Sequence, residues 1–397
     1  MGAGRRTGQR DHRRSDADRN RGRNLRRRRG PGCRRPFTPA PAHGHGRGYC
    51  RCGALALLRS CLVGERRAHQ CRWGRRTAIL PRPRERKLTS MGIKALGYVM
   101  VETAKADQWD HFLTQVVGVM RGDAPRDGVA TYRIDGRPFR FWIERGASDR
   151  LVASAYEVGD AGELAELRAK VVAAGRPVED GDAAGVAARG VAAFFRTSDP
   201  AGNGLEFFHG DTRDDVSFVS PVGVSGFVTG DMGMGHAVFA TPNFDECHAF
   251  YKAIGFHDTD IPRFRFSDDP ADPGMGFAFM HADNGRHHSV AIAEMPMPPS
   301  ACIHLMLEMK TQSDVGKCHD RMRANKVPES ASLGRHVNDQ TFGFYMQTPS
   351  GFDIEIGADP LVIDPASWTP TAHLVPSEWG HVWAWQKALE EQQGEQA

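Results

Sequence analysis

The chain is poor in cysteine arranged for any purpose. It has eight in 397 residues, and five of them (Cys33, Cys50, Cys52, Cys61, Cys71) fall within the first ninety. None of these forms a paired Cys-x2–4-Cys knuckle, and Cys50-x-Cys52 is too tight for the usual zinc finger. The other three, Cys247, Cys302 and Cys318, are scattered and odd in number, which argues against a disulfide framework and suits a reducing cytoplasm. A long apolar run is also missing. The stretch at 54–58 is too short for a membrane span or a secretory signal. Acidic residues are scarce in one region only: residues 1–90 hold 5 Asp+Glu against 26 Lys+Arg, 25 of them Arg, a net of +21. The rest of the chain holds 26 Lys+Arg against 43 Asp+Glu, a net of −17. The acidic part carries a field that disfavours nucleic acid.

The Arg-rich segment lacks apolar periodicity, amphipathic helical pattern and interleaved aromatic residues, so it offers no core, no transit peptide and no base-stacking arm. We expect 1–90 to be disordered if it is made at all, and read most of it as an extension upstream of a true start at Met91, where MGIKALGYVMVET begins.

What the body does have is a repeat. GYVMVETAKADQWDHFLTQVVG from Gly97 aligns with GHAVFATPNFDECHAFYKAIG from Gly235 at an offset of 138. Trp109, Phe112, Leu113 and Val116 fall opposite Cys247, Phe250, Tyr251 and Ile254, the helical i, i+3, i+4, i+7 face, and Gly118 and Gly255 are expected C-caps. A second pair begins at Ser154 and Leu305, with Leu164, Leu167 and Val171 opposite Val315, Cys318 and Met322. DPAGNGLEFF (199–208) mirrors TPSGFDIEIG (348–357) as strand–turn–strand. The expected fold is α+β: four repeated βαβββ modules paired into two barrel-like domains, 91–225 and 226–362, followed by a tail, 363–397. The tail's Trp368, Trp379, Trp383 and Trp385 are expected to pack over the second domain or at a subunit contact.

The repeat also works as an internal control. His236 corresponds to Tyr98 and His304 to Ala153, while Glu355 corresponds to Glu206, so only the second half keeps two imidazoles and a carboxylate. Glu355 lies in an apolar strand, where an unpaired carboxylate is expensive. The three are the expected metal ligands, one face of an ion with open positions opposite, which is the donor set of non-haem Fe(II) oxygen chemistry. Mn(II) fits the same donors. Zn(II) fits them without redox activity, and Mg(II) and Ca(II) prefer all-oxygen shells. His288, His336 and Tyr345 stand nearby as groups suited to proton work. The remaining body histidines, His287 and His381 among them, are read as structural or surface residues.

GMGHAVF, NGRHHSVAIA, IHLMLEM, SLGRHVNDQTFGFY and TPSGFDIEIG resemble the type I extradiol ring-cleavage dioxygenases of the vicinal oxygen chelate superfamily. The closest likeness is to enzymes cleaving 2,3-dihydroxybiphenyl and to steroid-catechol dioxygenases. It runs from about Met91 to the SEWGH segment and leaves out the Arg-rich leader. The resemblance implies iron held by His236, His304 and Glu355, His288 as acid/base, and His336 and Tyr345 as hydrogen-bond partners of bound catechol and oxygen. It places Asn338 and Asp339 beside the substrate, and Val238, Phe279, Ala291 and Met295 along its aryl pocket. It implies a catechol and O2 as partners, with neither nucleic acid nor membrane, in a homo-oligomer. Three other readings compete. A glyoxalase-like enzyme without redox chemistry has no use for three proton-handling groups around a catecholate. A non-enzymatic binding module of the same superfamily would have no metal triad. A nucleic-acid binder would rest wholly on residues 1–90.

Overall fold

The computed structural model describes residues 92–388 except 214, 267, 268 and 270. The Arg-rich segment, with every reading placed on it, lies outside the described residues.

Four βαβββ modules follow one another. In the first, strand Ile93–Thr103 leads through helix Ala106–His111 and its continuation Phe112–Val117 to strands Met120–Arg121, Val129–Arg133 and Phe141–Arg145. The second runs from strand Arg150–Val158 through helix Ala161–Ala173 to Glu179–Asp180, Ala193–Ser198 and Gly204–His209, with an additional helix, Ala183–Arg189, inserted. The third has strand His236–Ala240, helix Phe244–Ile254 and strands His257–Asp260, Met275–His281 and Val290–Ala293. The fourth has strand His304–Glu308, helix Gln312–Ala324 and strands Glu329–His336, Phe342–Gln347 and Asp353–Ala358.

The expected helix faces are the buried ones, and both glycine caps have positive φ, 91° at Gly118 and 116° at Gly255, the backbone region that costs glycine least. The offset between copies is 138 up to Val116 and 137 at the caps, so the first helix carries one residue more. It is absorbed as a turn of π-helix, with Gly118 N–H bonding Leu113 O at 2.8 Å. The helices of the second and fourth modules share a cap as well. Asp160 and Thr311 accept from the amides of Glu163 and Asp314, three residues on.

Modules one and two form an eight-stranded sheet; modules three and four, together with the short strand Arg263–Phe264 and the tail strand Ser377–Gly380 at one edge, form a ten-stranded one. In each sheet the leading strands of the two modules are antiparallel neighbours at the centre. Each of them also pairs in parallel with the closing strand of its own module. Each sheet curls so that one face lies against helices and the other lines a cup. The helix-side core is continuous across the chain, and Trp109 Nε1 donates to Ser350 Oγ (2.8 Å) where the first module meets the fourth. Among the described residues no helix is long and apolar enough to cross a membrane.

Candidate active site

Strand register brings the site together. Met306 pairs with His236 on one side and Glu355 on the other, and Glu355 pairs with Tyr345. Paired residues share a sheet face, and His304 lies two residues before Met306 on that same face. His236, His304, Glu355 and Tyr345 therefore converge in the second cup although they come from four different strands.

His236 Nε2 and His304 Nε2 are 3.2 Å apart, and Glu355 Oε2 lies 3.4 Å from the first and 3.6 Å from the second. A triangle with these edges has its centre about 2.0 Å from each corner, the bond length of imidazole nitrogen and carboxylate oxygen on a first-row divalent ion. Two imidazole nitrogens and a carboxylate oxygen packed this closely offer three donor atoms to a single cation. Glu355 is 1% exposed, and its Oε1 has no hydrogen-bond partner among the described residues. Burial drives His304 down to about 3, so it stays a neutral donor. Burial opposes ionisation of Glu355, yet the neighbouring His236 and His336 hold it well below the usual carboxylate range. The donor set fits a transition metal.

Three groups surround this triangle. The His288 ring stacks on His236 with centroids 3.9 Å apart, and burial pushes its pKa well down. His336 Nε2 lies 2.7 Å from the Tyr345 hydroxyl and 3.5 Å from Glu355 Oε1, while its Nδ1 meets Pro376 O at 2.9 Å. Burial would lower His336, but Glu355 and Asp339 outweigh it and raise it to about 9. Tyr345 is raised well above its ordinary value by burial and by Glu355.

Above them is a cavity of about 370 Å3, within the range of small-molecule sites. All three expected ligands line it, as do His288, His336, Tyr345, Asn338, Asp339, Val238, Phe279 and Met295. Ala291 does not. It pairs with Val238 and Phe279 and shares their face, but its methyl is too short to reach the cavity and is buried among Val238, Phe264 and Phe279. The loop after His336 turns at Gln340 (φ 59°), and Asp339 Oδ1 accepts from Thr341 N at 3.0 Å.

Sequence reasoning missed part of the wall. Phe277 was readable, since period-two alternation in Met275–His281 sets Met275, Phe277 and Phe279 on one face, and all three line the cavity. Phe264, Phe266, Ile303 and Pro376 come from short or irregular segments without such a signal. Trp383 and Trp385 also line the cavity, which makes part of the tail its roof. His381, read as structural or surface, is 4% exposed and lies against His336 with ring centroids 4.2 Å apart.

In the first cup the corresponding row reads Tyr98, Ala155, Glu206, Arg196. Glu206 is held by Arg189 Nε (2.7 Å) and Nη2 (2.8 Å), by Arg196 Nε (2.8 Å) and by the Tyr98 hydroxyl (2.6 Å). A guanidinium from the inserted helix supplies the positive charge that an ion would supply in the other half. Tyr98, Phe139, Trp142, Phe194 and Phe208 fill the space.

A half-barrel of paired βαβββ modules with two imidazoles and a carboxylate in one cup defines a metal-dependent protein of the vicinal oxygen chelate class. Residues 96–146 match the family described as dihydroxybiphenyl dioxygenase BphC D1, and residues 233–356 match the glyoxalase/bleomycin resistance protein/dioxygenase superfamily. The chain is 38% identical over 294 residues to an iron-dependent extradiol dioxygenase of Rhodococcus jostii (strain RHA1), covering 73% of this chain and 97% of that protein. It is 37% identical over 308 residues to biphenyl-2,3-diol 1,2-dioxygenase of Metapseudomonas furukawaii, covering 77% of this chain and 99% of that one. The crystal structure of BphC, a halotolerant catechol dioxygenase, superposes with a TM-score of 0.68 at 31% identity, over 74% of this chain and 96% of that one. The chain belongs to the extradiol ring-cleavage dioxygenases.

Proposed function

We propose that the protein opens the ring of a bicyclic or polycyclic catechol such as biphenyl-2,3-diol next to one hydroxyl, placing both atoms of O2 in a 2-hydroxy-6-oxo-dienoate. The observation that carries this reading is the convergence of three donor atoms at the base of an apolar cavity ringed by His288, His336 and Tyr345. His236, His304 and Glu355 would hold Fe(II); Mn(II) suits the same donors, and two imidazoles disfavour Mg(II) and Ca(II). When bound, the iron supplies the redox-active centre through which a closed-shell catechol reacts with triplet oxygen.

The protein's own groups do the rest. Val238, Phe277, Phe279, Ile303, Trp383 and Trp385 bind the second ring and exclude water, which strengthens every polar contact inside. Asn338 and Asp339 edge the substrate. His288 takes a catechol proton and returns one to an oxygen leaving group, a double role that a neutral imidazole suits. His336 and Tyr345 donate hydrogen bonds to developing negative charge on oxygen. In this reading residues 91–225 are a metal-free structural domain, 226–362 the catalytic domain and 363–397 a tail, whose Trp383 and Trp385 roof the cavity. We further place the protein in the reducing cytoplasm, as a homo-oligomer. Cys247, Cys302 and Cys318 are all free and buried, as that compartment allows.

Anaerobically purified protein given Fe(II) and biphenyl-2,3-diol should consume one O2 per catechol and form a yellow product. No oxygen uptake with any bicyclic or steroid catechol, despite bound iron, would sink the reading. His236→Ala and Glu355→Ala should lose iron and activity together. His288→Ala should keep iron and slow turnover by about a hundredfold or more; an unchanged rate would reject its role.

A further inference from the structure

His288 has two ring nitrogens, and only one that carries a lone pair can accept a proton. Its Nδ1 lies 3.1 Å from Nδ1 of the adjacent His287, which is 1% exposed. On the far side of that ring, His287 Nε2 lies 3.0 Å from Oδ2 of Asp260, which is fully buried; the two atoms are in charge-pair range, and neither has a hydrogen-bond partner elsewhere among the described residues. Asp260 is anchored in turn. Its Oδ1 accepts from the Thr371 hydroxyl, and its backbone bridges to Thr371 where the tail crosses strand His257–Asp260. The His287 carbonyl accepts from Thr259 Oγ1 at 2.7 Å, and the Trp368 ring meets His287 edge-on at 5.8 Å. Burial opposes ionisation of Asp260, yet His287 and Thr371 keep its carboxyl below the ordinary value.

The proton positions follow from these contacts. With a single hydrogen on the His287 ring, an ionised Asp260, which only accepts, draws that hydrogen to Nε2. Nδ1 of His287 is then the lone pair, and the short Nδ1–Nδ1 contact requires the hydrogen of His288 on its Nδ1, because two lone pairs or two N–H groups facing each other would repel. We infer that Asp260 and His287 are positioning residues that hold His288 as its Nδ1–H tautomer and leave the lone pair on Nε2 to receive the catechol proton. The inference rests on His288 acting as the base. The tautomers themselves can be observed without any turnover.

Protein labelled with 15N-histidine and loaded with diamagnetic Zn(II) should show, in two-bond 15N–1H correlation spectra at neutral pH, His288 protonated at Nδ1 and His287 at Nε2. A His288 protonated at Nε2, or a His287 carrying both protons, overturns the inference whether or not the enzyme cleaves catechols. In the iron-loaded enzyme, Asp260→Asn keeps the shape but can turn an N–H toward His287 Nε2. It should lower kcat by about tenfold or more, with KM and iron content within about twofold of wild type. An unchanged kcat, or activity lost in step with iron, overturns the positioning role. Should Asp260→Asn fail to fold, the wild-type spectra still decide.

Discussion

The clearest quantitative consequence concerns the half that holds no metal triad. Glu206 and Arg189 are 1% and 5% exposed, and the carboxylate takes two hydrogen bonds from the guanidinium. Arg189 also stacks over Phe194, with its guanidinium carbon 4.2 Å from the ring centre. Arg189→Met removes the main countercharge and leaves Glu206 with Tyr98 and with Arg196, whose side chain is 46% exposed and so already shared with water. Removing one partner of a buried ion pair costs about 3–5 kcal/mol. The remaining contacts put this case at the lower end, about 3 kcal/mol, a fall in Tm of roughly 5 °C for a chain of this size. The double replacement Arg189→Met/Glu206→Leu should recover most of the loss, since a well-packed apolar pair of similar volume often matches a buried ion pair. Urea unfolding of the metal-free protein, followed by circular dichroism, measures both and keeps iron binding in the other half out of the comparison. Turnover per bound iron should be unaffected. If Arg189→Met lies within about 0.5 kcal/mol of wild type, the range of a surface substitution, the guanidinium does not stand in for an ion. Acid gives a second handle on the pair. The Glu206 carboxyl is held below its ordinary value of 4.5, so its contribution is complete above that pH and is lost as pH falls through the lowered value.

The opposite pH dependence is expected in the second half. His336 in the metal-free protein is raised from 6.5 to about 9, so its pairing with Glu355 stabilises fully below pH 6.5 and fades as pH rises through 9. Melting temperatures of wild type and His336→Gln, measured without metal, should therefore converge on the alkaline side; a constant gap would refute the pairing. At the cavity mouth, Trp385 meets Phe266 with ring centroids 6.0 Å apart. Trp385→Ala should raise KM for a bicyclic catechol several-fold more than for a single-ring one, and an equal change for both would show that this ring does not contact the second aryl group.

Much of this is legible in the sequence. Alternation and helical spacing marked the modules, and comparison of the two copies confined the two imidazoles to residues 236 and 304. Glu355 stood out as a carboxylate in an apolar strand. The one-residue change in offset between copies was also there to be read, although only the backbone showed that a π-turn absorbs it. Other features left no periodic trace. Arg189 sits in a helix without a counterpart in the fourth module, so the alignment of copies passed over it. Trp383 and Trp385 reach the cavity from the tail, and His381 packs on His336 without belonging to any periodic pattern. The resemblance put Ala291 on the aryl pocket; it shares the face of Val238 and Phe279, but its methyl does not reach the cavity.

The sequence by itself determined which elements form and which side chains share a face, because strand and helix periods are local and survive in the pattern of residue types. Only the tertiary structure decided what closes on those faces. The distances that make three donors a triangle depend on register between strands far apart in the chain. The same is true of the tail that roofs the cavity, the guanidinium in the first cup, and the Asp260–His287 contact behind His288. Those contacts are set by packing and charge pairing over long sequence separations, where periodicity carries no information.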